Sequence, residues 1–533
     1  MSISKNKNSF PSIFNDVMGP VMRGPSSSHT AAAHRIGAFI RQIREPDFTE
    51  VVVKFDKAGA LATTYLGQGS AMGLAGGLLG IDMKDPEIIN FERHLSHSAF
   101  TIKYIVTDLK CKHPNAYQID IHYPEEEIVN MLALSTGGGM FEIVGLNGFK
   151  VSMRGDLYEN LIFFNTATTD LLNEIKKTIF ANYPGAEIEF VESAYGKVLA
   201  NIKLTEPNEN LLTKLAQYGN SVEWTAEINP VMPVISSHNP KLPFTTLDDM
   251  MELAEKEGLS LYDLALRYEM AYSGLKADAI HKKMEEIVII IKEAIKTGLD
   301  GTYYKDRILG SQAKLIMKAE QEGLIPKTVN NEIIAFTSAI MEVKSAMGLI
   351  VAIPTAGSCG VVGGAVFGSQ QDLDIEINQV VRAFLAAGIA GVFIAHKYTF
   401  SAEEGGCQVE TGAAAAMAAA GLVELHGGTA RQALAAASMA LQNELGLICD
   451  PVAVRVEVPC LGKNIMAATN AFNSAIMALS GYDPVIPYDD VIDTMKSVGE
   501  MLPSSLCCTG LGGLAQSYTG KCLYKKFNKD VYD

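Results

Sequence analysis

The chain has 533 residues, 48% hydrophobic and 20% charged, a globular composition long enough for about three domains. A formal net charge of −16 and a pI near 5.2 repel a phosphate backbone, which argues against nucleic acid and for small metabolites as partners. The opening stretch MSISKNKNSFPSIFND lacks the apolar run and cleavage site of a secretory signal. Eight cysteines are sparse for a disulfide scaffold, so they read as thiols or metal ligands in a reducing cytoplasm.

Residues 1–145 alternate β-rich runs (VVVKFD at 51–56, YQIDIHY at 117–123) with Gly-rich helical segments such as GSAMGLAGGLLG, which predicts an α+β domain. Residues 146–235 form a smaller unit. FKVSM (149–153) and LIFFNT (161–166) are strand-like, and Leu171, Leu172, Ile175 and Ile179 recur at helical spacing. AEIEFVES and KVLANIKL predict a hairpin around 194–196, followed by a helix at 209–218 and a strand near VEWTAEI. The order β-α-β-β-α-β is ferredoxin-like. It resembles the ACT regulatory module, which binds small amino acids; a structural spacer is the plainer reading.

From residue 240 to 533 the pattern is helical. Thr245 and Ser260 each precede an aspartate by three residues (Asp248, Asp263), which predicts two capped helix starts. Met284, Ile287, Val288 and Ile291 mark an apolar face, and GAAAAMAAAGLVELHGG permits close helix packing. Residues 346–371 carry no charge and are long enough to span a bilayer, but Pro354, Thr355, Ser358 and several glycines interrupt them. A buried loop between core helices is expected there, with no membrane partner.

Several motifs are absent: no phosphate-loop pattern, no G-x-S-x-G elbow and no H-E-x-x-H. The glycine run STGGGM (135–140) can cradle a phosphate, which raises pyridoxal-phosphate chemistry, but no serine–lysine context supports it and a turn is expected. GPSSSHT (24–30) supplies hydroxyl donors and one group titrating near neutrality. Ser27 or Ser28 can cap the following helix and leave His29 on the surface; alternatively the motif binds a carboxylate. Cys359 lies in PTAGSCGVVGG, Cys407 in EEGGCQVETG, Cys449 in GLICDPVAV and Cys460 in VEVPCLGKN. Their spacing matches no zinc-finger or ferredoxin run, so it leaves open inert thiols or a metal site.

Taken together, GPSSSHT, PTAGSCG, GGCQVE, LGLICDPVA, VEVPC and GLGGLA resemble the iron–sulfur-dependent L-serine dehydratases over nearly the whole chain. The N-terminal part is similar to the β portion of those enzymes and the part from about 240 onward to the α portion. The resemblance implies a [4Fe-4S] cluster held by Cys407, Cys449 and Cys460, with one iron left for substrate. It implies β-elimination of L-serine to pyruvate and ammonia. His29 and Ser28 are then the catalytic candidates, and Ser26, Ser27, Ser28 and Thr30 the substrate-binding ones. L-threonine or L-cysteine as substrate, a pyridoxal-phosphate deaminase and a non-catalytic amino-acid sensor are the alternatives. A homodimer is expected by analogy. Arg23, Val454 and Arg455 depart from the family pattern, and some single-chain relatives place a C-terminal cysteine in the open cluster position, a part left unassigned here among Cys507, Cys508 and Cys522.

Overall fold

A computed structural model of the chain describes residues 10–193, 196–208, 211, 221–237, 240–371, 373 and 375–527. The N-terminal half is mixed α/β and the C-terminal half is helical, a multidomain α+β arrangement. A six-stranded sheet runs in the order 101–107, 50–56, 116–122, 128–137, 140–146, 149–153, antiparallel except for its first pair. Its alternating apolar residues, among them Val51, Val53, Ile119, Ile121, Met131 and Ala133, pack on the helix Ala32–Ile43 through Ile36, Phe39 and Ile40. The FKVSM strand closes this sheet by pairing with 140–146. It therefore stands outside the smaller one.

The smaller sheet has four antiparallel strands in the order 222–228, 158–164, 198–204, 187–192. Numbered along the chain this is 4-1-3-2, the ferredoxin-like arrangement. One face (Leu161, Phe163, Leu199) joins the core of the larger sheet, and the other (Ile162, Phe164, Ala200) covers Ile175 and Ile179 of the helix Thr169–Asn182. Most of the helix expected at 209–218, and the turn at 194–195, lie outside the described residues.

In the helical half, the Ala-rich helix Thr411–Leu425 is the axis. Residues 411–424 are all buried, between helices Ile377–Lys397, Ala430–Gln442 and Cys460–Leu479. Small side chains allow the approach: a Cβ on Gly421 would stand 2.7 Å from the backbone oxygen of Ala383. Ser260 and Asp263 form the expected capping box. The preceding helix is capped by Thr246, one residue later than expected, because its hydroxyl accepts the Asp249 N–H at 3.1 Å. Met284, Ile287, Val288 and Ile291 are buried as predicted. The uncharged segment 346–371 is loop only in its first part. Residues Gly360–Gln370 are helix, buried on all sides from 360 to 368. Helix Ile377–Lys397 is the one described helix long and apolar enough to cross a membrane, and 78% of its apolar window is buried in the fold.

The segment from Phe10 to Met22 joins the two halves. Ile13, Phe14, Val17 and Met18 pack into the helical core, and Val21–Met22 pairs with Ile350–Val351. Ser12 Oγ and the Ile13 N–H both donate to Glu269, each at 2.8 Å.

Where the two sheets meet, Glu159 is 1% exposed, and burial pushes its carboxyl up to about 7 from the ordinary 4.5. Below pH 4.5 this group is protonated in folded and unfolded chains alike and costs nothing; above about 7 it is ionised in both, and the full cost of burying the charge is present. Glu159→Gln is therefore expected to gain stability relative to the parent as pH rises from 4.5 to 7, read as diverging denaturation midpoints. Parallel pH curves for the two proteins would contradict this.

Candidate active site

GPSSSHT does not cap a helix. Ser27–Ala31 forms a wide π-helical turn leading directly into Ala32–Ile43, and no serine side chain caps it. The hydroxyls point instead to tertiary partners, and His29 is wholly buried, contrary to a surface position. Ser27 Oγ accepts the Ala356 N–H at 3.1 Å. Thr30 Oγ1 donates to the Gln68 carbonyl at 3.1 Å. Ser28 Oγ donates to Glu403 at 3.1 Å, and Ser401 Oγ donates to the other oxygen of Glu403 at 2.7 Å.

These bonds define the state of His29. Thr64 Oγ1 donates its one proton to the Ala60 carbonyl at 2.7 Å, so it accepts from His29 Nε2, also at 2.7 Å. Nδ1 is then the basic nitrogen of the neutral ring. It faces Ser26 Oγ at 3.1 Å, Ser28 Oγ at 3.2 Å and Glu403 at 3.5 Å. Burial lowers the His29 pKa from 6.5, opposed by Glu403, and so favours the neutral ring.

The helices fit this closely only because Gly73 has no side chain. A Cβ there would lie 2.0 Å from the Thr30 carbonyl oxygen, a backbone atom that cannot rotate aside. The STGGGM run is the hairpin turn between strands 128–137 and 140–146. Its Gly139 carbonyl accepts from buried Arg35 at 2.6 Å. This is the turn expected.

A short bonded path leads from the serines to the thiols. Ala356 adjoins Thr355, whose Oγ1 donates to Glu410 at 2.6 Å, and Glu410 stands 4.0 Å from the sulfur of Cys407. The ligand atoms of Cys407, Glu410 and Cys449 all lie within 4.8 Å of one another. Cys449 is flanked by Cys407 and Cys508, and hydrogen bonds among these thiols, with burial, push its pKa well up. Cys460, at the start of helix Cys460–Leu479, is buried; desolvation raises its pKa, with Cys407 and Glu410 adding to the effect and Lys344 opposing it. Burial likewise pushes the Glu410 carboxyl up to about 7.

Thus Cys407 and Cys449 are brought together, and Cys460 lies within electrostatic reach of Cys407. Cys359 is elsewhere, its sulfur 3.7 Å from that of Met341 in the helical core. Cys508 joins the thiol group: its backbone N–H donates to the Cys449 carbonyl at 2.9 Å, and Gln68 Nε2 meets its sulfur at 3.4 Å. Cys522 is exposed. A buried set of soft sulfur donors with no disulfide among the described cysteines suits iron–sulfur ligation and suits a hard cation poorly.

Sequence reading missed Glu403 and Glu410, although both flank Cys407 in the EEGGCQVETG motif already singled out. Thr64, Gln68 and Lys344 carried no local signal. Lys344 is fully buried, and its ammonium donates to the Val456 carbonyl. Lys463 Nζ donates to Ile448 O at 2.6 Å and to Asp450 at 3.0 Å, which secures the Cys449 loop. The atypical residues are occupied away from the thiols. Arg23 donates to the Lys84 and Met347 carbonyls, and Arg455 grips Asp306 at 2.9 and 3.0 Å while lying 4.7 Å over the Phe527 ring.

The buried thiol group and the buried histidine–glutamate pair together mark a candidate enzyme site. The serine dehydratase alpha chain family model matches residues 256–515. The probable L-serine dehydratase alpha chain of Bacillus subtilis is 37% identical over 287 residues, 53% of this chain and 95% of that protein. The L-serine dehydratase alpha chain of Peptoniphilus asaccharolyticus is 36% identical over 54% of this chain and 98% of its own length. The L-serine dehydratase of Mycobacterium bovis aligns with 92% of this chain and 95% of its own, at 26% identity. The chain belongs to the L-serine dehydratase family of the iron–sulfur type.

Gly73→Ala is expected to destabilise the fold by about 1–3 kcal/mol or more, since the added methyl meets backbone. A denaturation midpoint equal to that of the parent would show that the two helices separate freely.

Proposed function

We propose that the chain deaminates L-serine to pyruvate and ammonia by β-elimination, with a [4Fe-4S] cluster held by Cys407, Cys449 and Cys460. The observation that carries this reading is the bonded path from the serine turn, through Ser27, Ala356, Thr355 and Glu410, to the thiol of Cys407, with His29 of the same turn paired to Glu403. When bound, the cluster supplies Lewis acidity toward the substrate hydroxyl, which is otherwise a poor leaving group.

The remaining chemistry belongs to the chain. His29 Nδ1 takes the α-proton, and the neutral ring favoured by burial keeps that nitrogen available. Nε2 stays protonated against Thr64, which fixes the ring plane. As Nδ1 gains its proton, Glu403 at 3.5 Å stabilises the imidazolium. Ser26 and Ser28 border Nδ1 and bind the substrate there, while Ser27 and Thr30 hold the turn against Ala356 and Gln68. Loss of the α-proton and of the β-hydroxyl leaves aminoacrylate, which tautomerises to an imine and hydrolyses to pyruvate and ammonia. Burial of the whole group in the fold excludes bulk water until that step.

Cys449→Ser is expected to lose iron and sulfide together with pyruvate release after anaerobic purification. Full activity with iron near zero would overturn the cluster. His29→Asn is expected to keep the iron content and to lower kcat about 100-fold or more. Because the His29 pKa lies below 6.5, the acid limb of kcat/KM is expected below that pH. Pyruvate from L-serine, set against 2-oxobutyrate from L-threonine in the same assay, decides the substrate.

A further inference from the structure

The loop before strand 116–122 holds a side chain that no part of the mechanism uses. Asn115 is 0% exposed, and neither its amide nitrogen nor its amide oxygen has a hydrogen-bond partner. A buried carboxamide with both ends unsatisfied is costly, and in a native fold it asks for a ligand or an ordered molecule.

Its position follows from the sheet register. Ala116 pairs with Leu134, and the Asn115 carbonyl accepts the Ser135 N–H at 3.0 Å, which sets Asn115 opposite Ser135. Ser135 turns toward the site, since its Oγ donates to the Ser28 carbonyl at 2.7 Å. Asn115 has the strand parity of Tyr117 and Ile119, which face the same way. Glu403 acts electrostatically on both His113 and Tyr117, the residues two before and two after Asn115. The Pro114 carbonyl accepts the Ala60 N–H at 3.0 Å, and Ala60 begins the turn that carries Thr64 to His29. The orphaned amide therefore lies beside the histidine–glutamate pair.

We propose that the Asn115 carboxamide is the anchor for the substrate's α-amino-acid zwitterion, its Nδ2 donating to the carboxylate and its Oδ1 accepting from the ammonium. An unpaired donor and acceptor about 2 Å apart on one rigid group match those two charges on one α-carbon. A neutral amide holds both without a net charge of its own, so it leaves the field of Glu403 on His29 undisturbed. This inference rests on the amino-acid deaminase reading above and adds the residue that selects an α-amino acid.

The test uses the iron-loaded full chain. Glycine, a zwitterion with no leaving group, serves as a calorimetric probe beside L-serine turnover. Asn115→Ala is expected to raise KM for L-serine and the Kd for glycine at least tenfold, with a smaller change in kcat and unchanged iron content. Asn115→Asp, nearly isosteric, keeps the acceptor but loses the donor and is expected to bind glycine still more weakly. KM and glycine affinity within twofold of the parent in either iron-loaded variant would overturn the assignment, as would iron loss in both, which would mark Asn115 as structural. If the parent releases no pyruvate but glycine binding still depends on Asn115, the anchor stands and the reaction reading falls.

Discussion

The site depends on one tertiary bond, Ser28 Oγ to Glu403, whose partners are 375 residues apart in the chain. One belongs to the turn that opens the first long helix, the other to the short helix before Cys407. Neither half of the molecule contains both partners. The residues from Phe10 to Met22 make the bond possible, because they leave the α/β half and pack in the helical core against Glu269 and Ile350–Val351. This fixes the serine turn against Thr355, Ala356 and the thiol loops with little freedom. A looser attachment would separate His29 and its serines from Glu403 and Thr355.

The polar groups divide by the state that burial imposes. His29 is favoured as neutral, with its proton on the nitrogen that Thr64 accepts from. Glu410, with fewer partners, is driven up to about 7 beside the thiols. Cys449 and Cys460 resist ionisation while buried in this space. Deprotonating several thiols in such a place requires a strong local positive charge, which is what metal ligation supplies. Lys344 and Lys463, one beneath Cys460 in electrostatic terms and the other bracing the Cys449 loop, moderate the same cost.

Much of the architecture was legible from residue patterns. The β-α-β-β-α-β order was read from alternation and spacing, and the 4-1-3-2 sheet follows it. The strand FKVSM was expected in the smaller unit, because alternation identifies a strand but not the neighbour it pairs with; the hydrogen bonds to 140–146 place it in the larger sheet instead. The serines misled for a related reason. A hydroxyl before a helix is equally fitted to cap it or to bond a distant group, and here the distant groups Ala356 and Glu403 prevailed.

The sequence by itself singled out candidate side chains, since the SSSHT turn and the cysteine motifs are local strings whose residue types restrict what they can do. It also determined that three differently patterned units succeed one another, because periodicity and composition are local properties. Only the tertiary structure decided that Cys508 joins Cys407 and Cys449, that Thr64 sets the histidine tautomer, and that Glu403 is its counter-charge. Those are relations across tens to hundreds of residues, created by packing the Phe10–Met22 segment and the Ala- and Gly-rich helices, and no short stretch of chain contains them.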